Sequence, residues 1–172
     1  MHYDGNTKAA PVVNDTTIQS ILVLAVMAGL HAKVLDIQGA FLHGIFEKGE
    51  RLYMKVPEGM EHHYKGQVVL LLLKTIYRLK QAAYQFWLML LRAFGSMNYQ
   101  RSRADPCLYF RHTNQGLVMW ISWVDDCLVV GPKEMVMQAK KDMMDRFDCD
   151  DIGELKEYVG CKVTYDEDKC GI

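Results

Sequence analysis

Residues 120–130 read WISWVDDCLVV, an apolar strand pattern interrupted by two adjacent acids, Asp125 and Asp126. The apolar residues on both sides predict two strands, so the acids would lie at the turn of a hairpin. Adjacent carboxylates repel each other and resist burial unless a cation compensates their charge. A solvent-exposed hairpin tip also accounts for the pair, because Asp is a favoured turn residue. The pattern therefore leaves two interpretations open, a simple turn and a cation site.

A third acid, Asp36, stands in the otherwise apolar stretch of residues 34–37. If this stretch forms a strand that pairs beside the hairpin, three carboxylates converge. Three hard oxygen donors at one place suit magnesium. Two such ions about 4 Å apart would activate an attacking hydroxyl and stabilise the leaving oxygen in phosphoryl transfer.

The remaining sequence predicts strands mixed with a few helices. Helical spacing of apolar residues predicts helices over about 15–29, 81–96 and 135–147. The runs over 21–30 and 68–73 are expected to be a buried helix and a buried strand. We therefore expect an α+β domain with helices packed on one face of an antiparallel sheet. The predicted strands are 33–37, 51–56, 68–73, 108–110, 117–123, 127–130 and 159–165.

Composition excludes several classes of protein. The chain has 172 residues and a mass of 19.8 kDa, enough for one domain or a piece of one. Five cysteines, with no pair at CxxC spacing, argue against a disulfide framework and a zinc site. No secretory signal and no apolar run near 20 residues is present, so an intracellular protein without a membrane partner is expected.

The net charge of −1 conceals an asymmetry along the chain. Residues 1–104 carry 12 basic and 7 acidic side chains, whereas residues 105–172 carry 8 and 14. No acid lies between Glu61 and Asp105, a stretch with seven basic residues. A field of one sign suits a polyanion, although a solvated helix face also accounts for it.

Five blocks, in order, resemble a known family. The chain is similar to the copia-type reverse transcriptases of long-terminal-repeat retrotransposons. The blocks are VLDIQGAFLHG (34–44), similar to the family's DVKTAFLNG; LYMKVPEGM (52–60), similar to IYMxxPEGF; IYRLKQA (76–82), similar to LYGLKQ; WVDD (123–126), similar to YVDD; and DIGELKEYVG (151–160), similar to DLGELKxFLG. The likeness covers residues from about 11 to 163.

This resemblance implies a right-hand polymerase fold, mostly palm with part of the fingers, over residues 11–163. Residues 1–10 and 164–172 would be truncated ends and no separate domain. The implied activity is RNA-directed DNA polymerase, which adds deoxynucleoside triphosphates to a primer on an RNA or DNA template. Asp36 and Asp125 would be the principal ligands of two magnesium ions, with manganese as an alternative, and Asp126 the third acid.

The resemblance also implies roles outside the acids. Phe41, five residues after Asp36, matches a bulky ring that excludes a ribose 2′-hydroxyl, although by itself it reads as a core phenylalanine. Further matches concern template and primer. Arg78, Lys80 and Gln81 fall in the block near the template and incoming nucleotide, and Tyr158 and Gly160 in the block that holds the primer end.

The chain departs from the family pattern in three respects. Arg78 replaces a glycine, and Trp123 replaces a tyrosine. Third, the blocks that match do not include the family's basic fingers segment, thumb or RNase H. These parts would have to come from the rest of the element polyprotein, in a cytoplasmic particle or the nucleus. We therefore expect activity only within a longer chain. The alternatives are a catalytically inactive, truncated element remnant and a nucleic-acid-binding module.

Overall fold

The computed structural model describes residues 9–46, 48–66, 68–79, 81–155 and 157–162. In this part of the chain no helix is long and apolar enough to cross a bilayer. The helices are α1 (Asp15–Met27), α2 (Ala40–His43), α3 (Ala82–Ser96) and α4 (Lys133–Met144). The strands are β1 (His31–Ile37), β2 (Tyr53–Lys55), β3 (Val69–Leu71), β4 (Gln100–Arg101), β5 (Leu108–Thr113), β6 (Gly116–Trp123), β7 (Asp126–Gly131), β8 (Cys149–Glu154), β9 (Glu157–Tyr158) and β10 (Cys161–Lys162).

Two compact units make up the fold. The first is built mainly from Gly39–Met89, and the second from Pro11–Gln38 together with the chain from Leu90 onward. The second unit contains a six-stranded sheet in the order β4-β5-β6-β7-β1-β8, in which every pairing is antiparallel. The predicted α+β class with an antiparallel sheet is confirmed.

Aromatic rings fill part of the core of the second unit. Phe94 of α3 stacks on Tyr109 of β5, with ring centroids 4.2 Å apart, and lies 5.6 Å from the ring of Trp120 of β6. All three side chains are almost fully buried. The period-3.6 apolar pattern that predicted α3 therefore marks the face of that helix that packs.

Helix α1 is held by an acid far away in sequence. Asn14 occupies the N-cap position of the helix, but its side chain makes no capping bond. Instead the buried Asp105 accepts hydrogen bonds from the backbone N–H of Asn14 (2.9 Å), from its amide (3.1 Å), from the Thr17 hydroxyl (2.7 Å) and from the Cys107 N–H (2.9 Å). Burial alone would raise the pKa of Asp105, but these hydrogen bonds lower it below its ordinary value.

Two predictions of burial are wrong. Helix α1 buries only Ile18, Ile21 and Ala25, whereas Met27 is 80% exposed. The apolar run 68–73 forms only the short strand β3, which pairs with β2 in a two-stranded sheet of the first unit, and Leu73 is 81% exposed. A two-stranded sheet offers few neighbours, so an apolar run in it stays accessible.

The C-terminal strand also differs from the prediction. The chain forms a hairpin, β9 and β10, that turns at Val159 and Gly160. Both residues have positive φ, 47° and 77°. The predicted continuation over 163–165 lies outside the described residues. Ahead of this hairpin, β8 was not predicted at all.

Within the first unit, Thr75 closes the loop that follows α2. Its backbone N–H donates to the Gly44 carbonyl (3.1 Å), and its hydroxyl donates to the Phe41 carbonyl (2.6 Å). A Cβ at Gly44 would overlap the Thr75 hydroxyl and crowd the Gln85 side chain. Glycine at position 44 therefore permits a close approach that no side chain would allow.

Candidate active site

The acid pair lies at the tip of a tight hairpin, as the sequence predicts. Strands β6 and β7 pair up to Trp123 opposite Asp126, so only Val124 and Asp125 connect them. Val124 has φ of 53°, a left-handed conformation that is strained for a β-branched residue. Such strain costs about 1–3 kcal/mol and persists where the surrounding structure enforces it, most often at functional sites. The tip is therefore held in a shape that its own sequence disfavours.

Strand β1 brings the third acid to this tip. It pairs with β7 so that Asp36 lies directly opposite Asp126. Beyond that pair, the Ile37 N–H donates to the Asp125 carbonyl at 3.0 Å. Residues directly opposite each other in an antiparallel pair point to the same face of the sheet. Asp36 and Asp126 thus share one face, with Asp125 next in the turn.

Two of the three half-buried acids, Asp36 and Asp126, have a raised pKa. The pKa of Asp36 is raised by burial and by the charges of Asp125 and Asp150, against a lowering effect of the Gln38 hydrogen bond. The pKa of Asp126 is raised by burial and by the charges of Asp125 and Asp36. Carboxylates gathered in this way are stabilised by a nearby cation.

Two residues near the acids, Asp150 and Gln38, were not found from the sequence. Strand β8 pairs with β1 so that Asp150 lies opposite Asp36 on the side away from Asp126. The Gln38 amide donates to one oxygen of Asp36 (3.0 Å) and to one of Asp150 (2.7 Å). The β8 sequence, CDDIGE, has no strand-like alternation, so no local signal marks that strand.

The donor set suits a hard divalent cation. Its groups are carboxylate oxygens, which magnesium prefers over nitrogen and sulfur. Within the described ranges, no three His, Cys, Asp or Glu side chains already converge on a single metal position. The fit rests on the carboxylate chemistry of Asp36, Asp125 and Asp126 and on the raised pKa of Asp36 and of Asp126, to which burial and neighbouring acids contribute.

Phe41 lies in the other unit, in α2. Its ring is half-buried and meets the ring of Tyr77 edge-on, with centroids 5.3 Å apart. It is therefore neither a fully buried core residue nor a free surface ring. Its assigned role in sugar selection stays a prediction.

The residues of the IYRLKQA block have different environments. Arg78 is exposed and has φ of 72°, the conformation that glycine adopts without strain. Gln81 is only 9% exposed and donates its amide to the Glu50 carboxylate at 2.9 Å. Lys80 lies outside the described residues. The glycine that the resemblance implies at this position would adopt this backbone conformation freely, whereas Arg78 adopts it with strain.

Tyr158 is buried against the hairpin, only 3% exposed. Its hydroxyl lies 3.2 Å from the carbonyl oxygen of Asp126 and 3.4 Å from that of Ile121. Burial, with the nearby Cys127 and Asp126, raises the pKa of Tyr158 far above its usual range, so the hydroxyl stays protonated and can donate. Gly160 lies in the β9–β10 turn and is exposed. The predicted contact of these residues with a primer stays a prediction.

The basic residues of the acid-free stretch are distributed over both units. Lys65, Lys74 and Arg78 belong to the first unit, and Arg92, Arg101 and Arg103 to the second. All six are exposed. Solvent-exposed cations of this kind can contact phosphates without regard to sequence.

Comparison with known proteins identifies relatives over the same region. A family model described as "Reverse transcriptase (RNA-dependent DNA polymerase)" matches residues 1–172. The chain is 37% identical over 157 residues to the "Retrovirus-related Pol polyprotein from transposon TNT 1-94" of Nicotiana tabacum. It is 28% identical over 152 residues to the corresponding polyprotein from transposon RE1 of Arabidopsis thaliana.

These relatives are much longer proteins. The matched region is 90% of this chain but 12% of the tobacco polyprotein, and 88% of this chain but 10% of the RE1 polyprotein. A shorter relative, the "Putative transposon Ty5-1 protein" of Saccharomyces cerevisiae, is 25% identical over 130 residues, which are 75% of this chain and 42% of that protein. No solved structure matches.

Proposed function

Because this chain belongs to the reverse transcriptase (RNA-dependent DNA polymerase) family of copia-type retrotransposons, we propose that its acid-bearing hairpin and β1 form the catalytic centre of an RNA-directed DNA polymerase. The observation that carries the proposal is the register of β1 and β7, which sets Asp36 opposite Asp126 beside the strained turn that holds Asp125. An incidental surface turn would need neither the third acid nor the strain.

The proposed reaction is nucleotidyl transfer. The oxygen of a primer 3′-hydroxyl forms a bond to the α-phosphorus of a deoxynucleoside triphosphate, and the bond from that phosphorus to the bridging oxygen breaks. Pyrophosphate leaves with the electron pair, and the hydroxyl proton passes to solvent. Catalysis of such a step depends on positioning and on stabilisation of charge.

The chain's own contribution would be the oxygen atoms of three carboxylates. Asp36, Asp125 and Asp126 would hold two magnesium ions, with manganese as an alternative. Such ions, when bound, lower the pKa of the attacking hydroxyl and neutralise charge on the phosphates. The Gln38 amide donates a hydrogen bond to one oxygen of the Asp36 carboxylate (3.0 Å) and so orients that side chain.

Other roles are proposed from position in the sequence. Phe41 is the candidate for excluding a ribose 2′-hydroxyl, as a bulky side chain five residues after Asp36. Five residues are candidates for contact with the template and primer. These are Arg78, Lys80 and Gln81 in one block and Tyr158 and Gly160 in the other.

We further propose that residues 11–163 are a partial polymerase domain, a palm with part of the fingers. Its partners would be a template–primer duplex, deoxynucleoside triphosphates and the remaining parts of a Pol polyprotein. The protein would act inside the cell, in a cytoplasmic particle or the nucleus. The relatives' length supports the polyprotein context, since the matched region is about a tenth of theirs.

Primer extension on an RNA template with magnesium tests the proposal. The chain is placed in a Pol polyprotein that supplies the remaining parts, and this protein is compared with its Asp125→Asn variant and with Asp151→Asn, a control in which the changed acid pairs with Lys140 instead of belonging to the Asp36, Asp125 and Asp126 cluster. Extension that is lost in Asp125→Asn and kept in Asp151→Asn supports the polymerase. Salt-sensitive binding of the template–primer without extension supports the binding module instead. Absence of both supports an inactive remnant.

A further inference from the structure

The Tyr158 hydroxyl reaches the main chain of the acid-bearing hairpin rather than another side chain. It lies within hydrogen-bond distance of carbonyl oxygens on both hairpin strands, Ile121 of β6 and Asp126 of β7. The ring that carries it is buried. A buried hydroxyl held by packing has few rotamers to lose, so its hydrogen bond constrains the partner strongly.

The hairpin requires such a constraint. Val124 is strained at φ of 53°, so the turn has a tendency to relax. The two acids that follow are each held through their own carbonyl oxygen, that of Asp125 by the Ile37 N–H (3.0 Å) and that of Asp126 by the Tyr158 hydroxyl (3.2 Å). The first contact comes from β1 and the second from β9.

We propose that Tyr158 is a positioning residue that keeps the Asp125–Asp126 turn in its strained, metal-binding shape. This role deepens the polymerase proposal and rests on it for its consequence in catalysis. It also gives β9 a role apart from the predicted primer contact. The hydroxyl is the essential group, because a phenylalanine would fill the same space without a donor.

Amide hydrogen exchange of the metal-free chain, followed by NMR, tests whether Tyr158 positions the Asp125–Asp126 turn. Tyr158→Phe removes only the hydroxyl. Tyr109→Phe is the matched control, because Tyr109 is equally buried in the same unit. We expect exchange at Asp126 and Leu128 to rise about 3- to 10-fold in Tyr158→Phe, the factor that corresponds to one net hydrogen bond. Exchange in β5 should be unchanged.

A uniform rise in the exchange rate over the whole second unit, or no rise at Asp126 and Leu128, would overturn the positioning role of Tyr158. A measurement on the unmodified chain covers the case in which the variant does not fold. A protonated, hydrogen-bonded hydroxyl exchanges slowly, so its proton should be visible, with cross-peaks to the amide of Leu128, which is a backbone hydrogen-bonding neighbour of the Tyr158 hydroxyl. A hydroxyl proton that exchanges as fast as that of the half-exposed Tyr53 would also overturn the proposal.

The manganese affinity of the two proteins separates this inference from the polymerase proposal. We expect Tyr158→Phe to bind Mn²⁺ about 3- to 10-fold more weakly than the unmodified chain, with the control unchanged. If exchange at the tip rises in Tyr158→Phe but the unmodified chain binds no Mn²⁺, the positioning role of Tyr158 is kept and the polymerase proposal is contradicted. If Tyr158→Phe leaves exchange at the tip unchanged while the chain binds Mn²⁺ through Asp125, the positioning role of Tyr158 is contradicted and the polymerase proposal is kept.

Discussion

Removal of one acid from the cluster should stabilise the metal-free protein. Asp36 is the best position, because it lies opposite Asp126 on one side and Asp150 on the other. Asp36→Asn removes the charge and keeps an oxygen that accepts the hydrogen bond from Gln38. A residue whose role was only to stabilise the fold would show the opposite effect.

The magnitude follows from the pairing. Like charges directly opposite each other on neighbouring strands destabilise a sheet by about 0.2–1 kcal/mol for each pair. Asp36 takes part in two such pairs, and partial exposure screens both. The gain in the free energy of unfolding is therefore about 1 kcal/mol, which for a chain of this length is about 2–4 °C in Tm.

Thermal unfolding followed by circular dichroism, with a chelator present, measures this effect. Asp151→Asn is the control on the same strand as Asp150, and it should lower Tm, because Lys140 bonds to Asp151 and lowers the pKa of that carboxyl. In about 1 M salt, where the Debye length is near 3 Å, most of the gain from Asp36→Asn should disappear. A lower Tm for Asp36→Asn at low salt would show that Asp36 stabilises the metal-free fold instead of being repelled by its neighbours.

Three further predictions concern the fold. Arg78→Gly should raise stability by about 0.5–1 kcal/mol in urea unfolding, because glycine adopts φ of 72° freely, whereas Arg92→Gly inside α3 should lower it by about 1 kcal/mol. Asp105→Asn should lower the free energy of unfolding by about 2–4 kcal/mol. Because the pKa of Asp105 is lowered on folding, this stabilisation is complete above about pH 4 and is lost as the pH falls through the folded-state pKa. Acid-induced unfolding of the two proteins would show this difference. Gly44→Ala should lower Tm by several degrees, because the added Cβ would overlap the Thr75 hydroxyl. Gly95→Ala is the control and should not lower Tm, because a Cβ at that position meets open space.

The parts of the fold that sequence could predict are those with a strong local pattern. The apolar flanks of Asp125 and Asp126 predict β6 and β7, and the helical period predicts α3. The proximity of Asp36 followed only on the condition that its strand pairs beside the hairpin, which the register of β1 and β7 satisfies. A resemblance in five blocks supplied the chemistry that one VDD triplet leaves open.

The rest depends on tertiary context. Strand β8 exists because the edge of β1 offers hydrogen bonds to an acid-rich stretch with no strand propensity of its own. Strand β3 is exposed because its sheet has only two strands, and the apolar sequence of the strand does not indicate the size of the sheet. The contact of the Tyr158 hydroxyl with the Asp126 carbonyl spans 32 residues of sequence, so no local pattern encodes it.

In the proposed polymerase, Asp36, Asp125 and Asp126 together bind a divalent cation for phosphoryl transfer. Paramagnetic broadening of backbone amides by Mn²⁺ measures this directly, whether or not the chain alone extends a primer. We expect Mn²⁺ to broaden the amides near Asp36 and Asp126 first, Mg²⁺ to reverse this broadening by competition, and Asp125→Asn to abolish it. Broadening that is spread evenly over the acidic surface, or that is unchanged in Asp125→Asn, would show that these three carboxylates do not form a cation site.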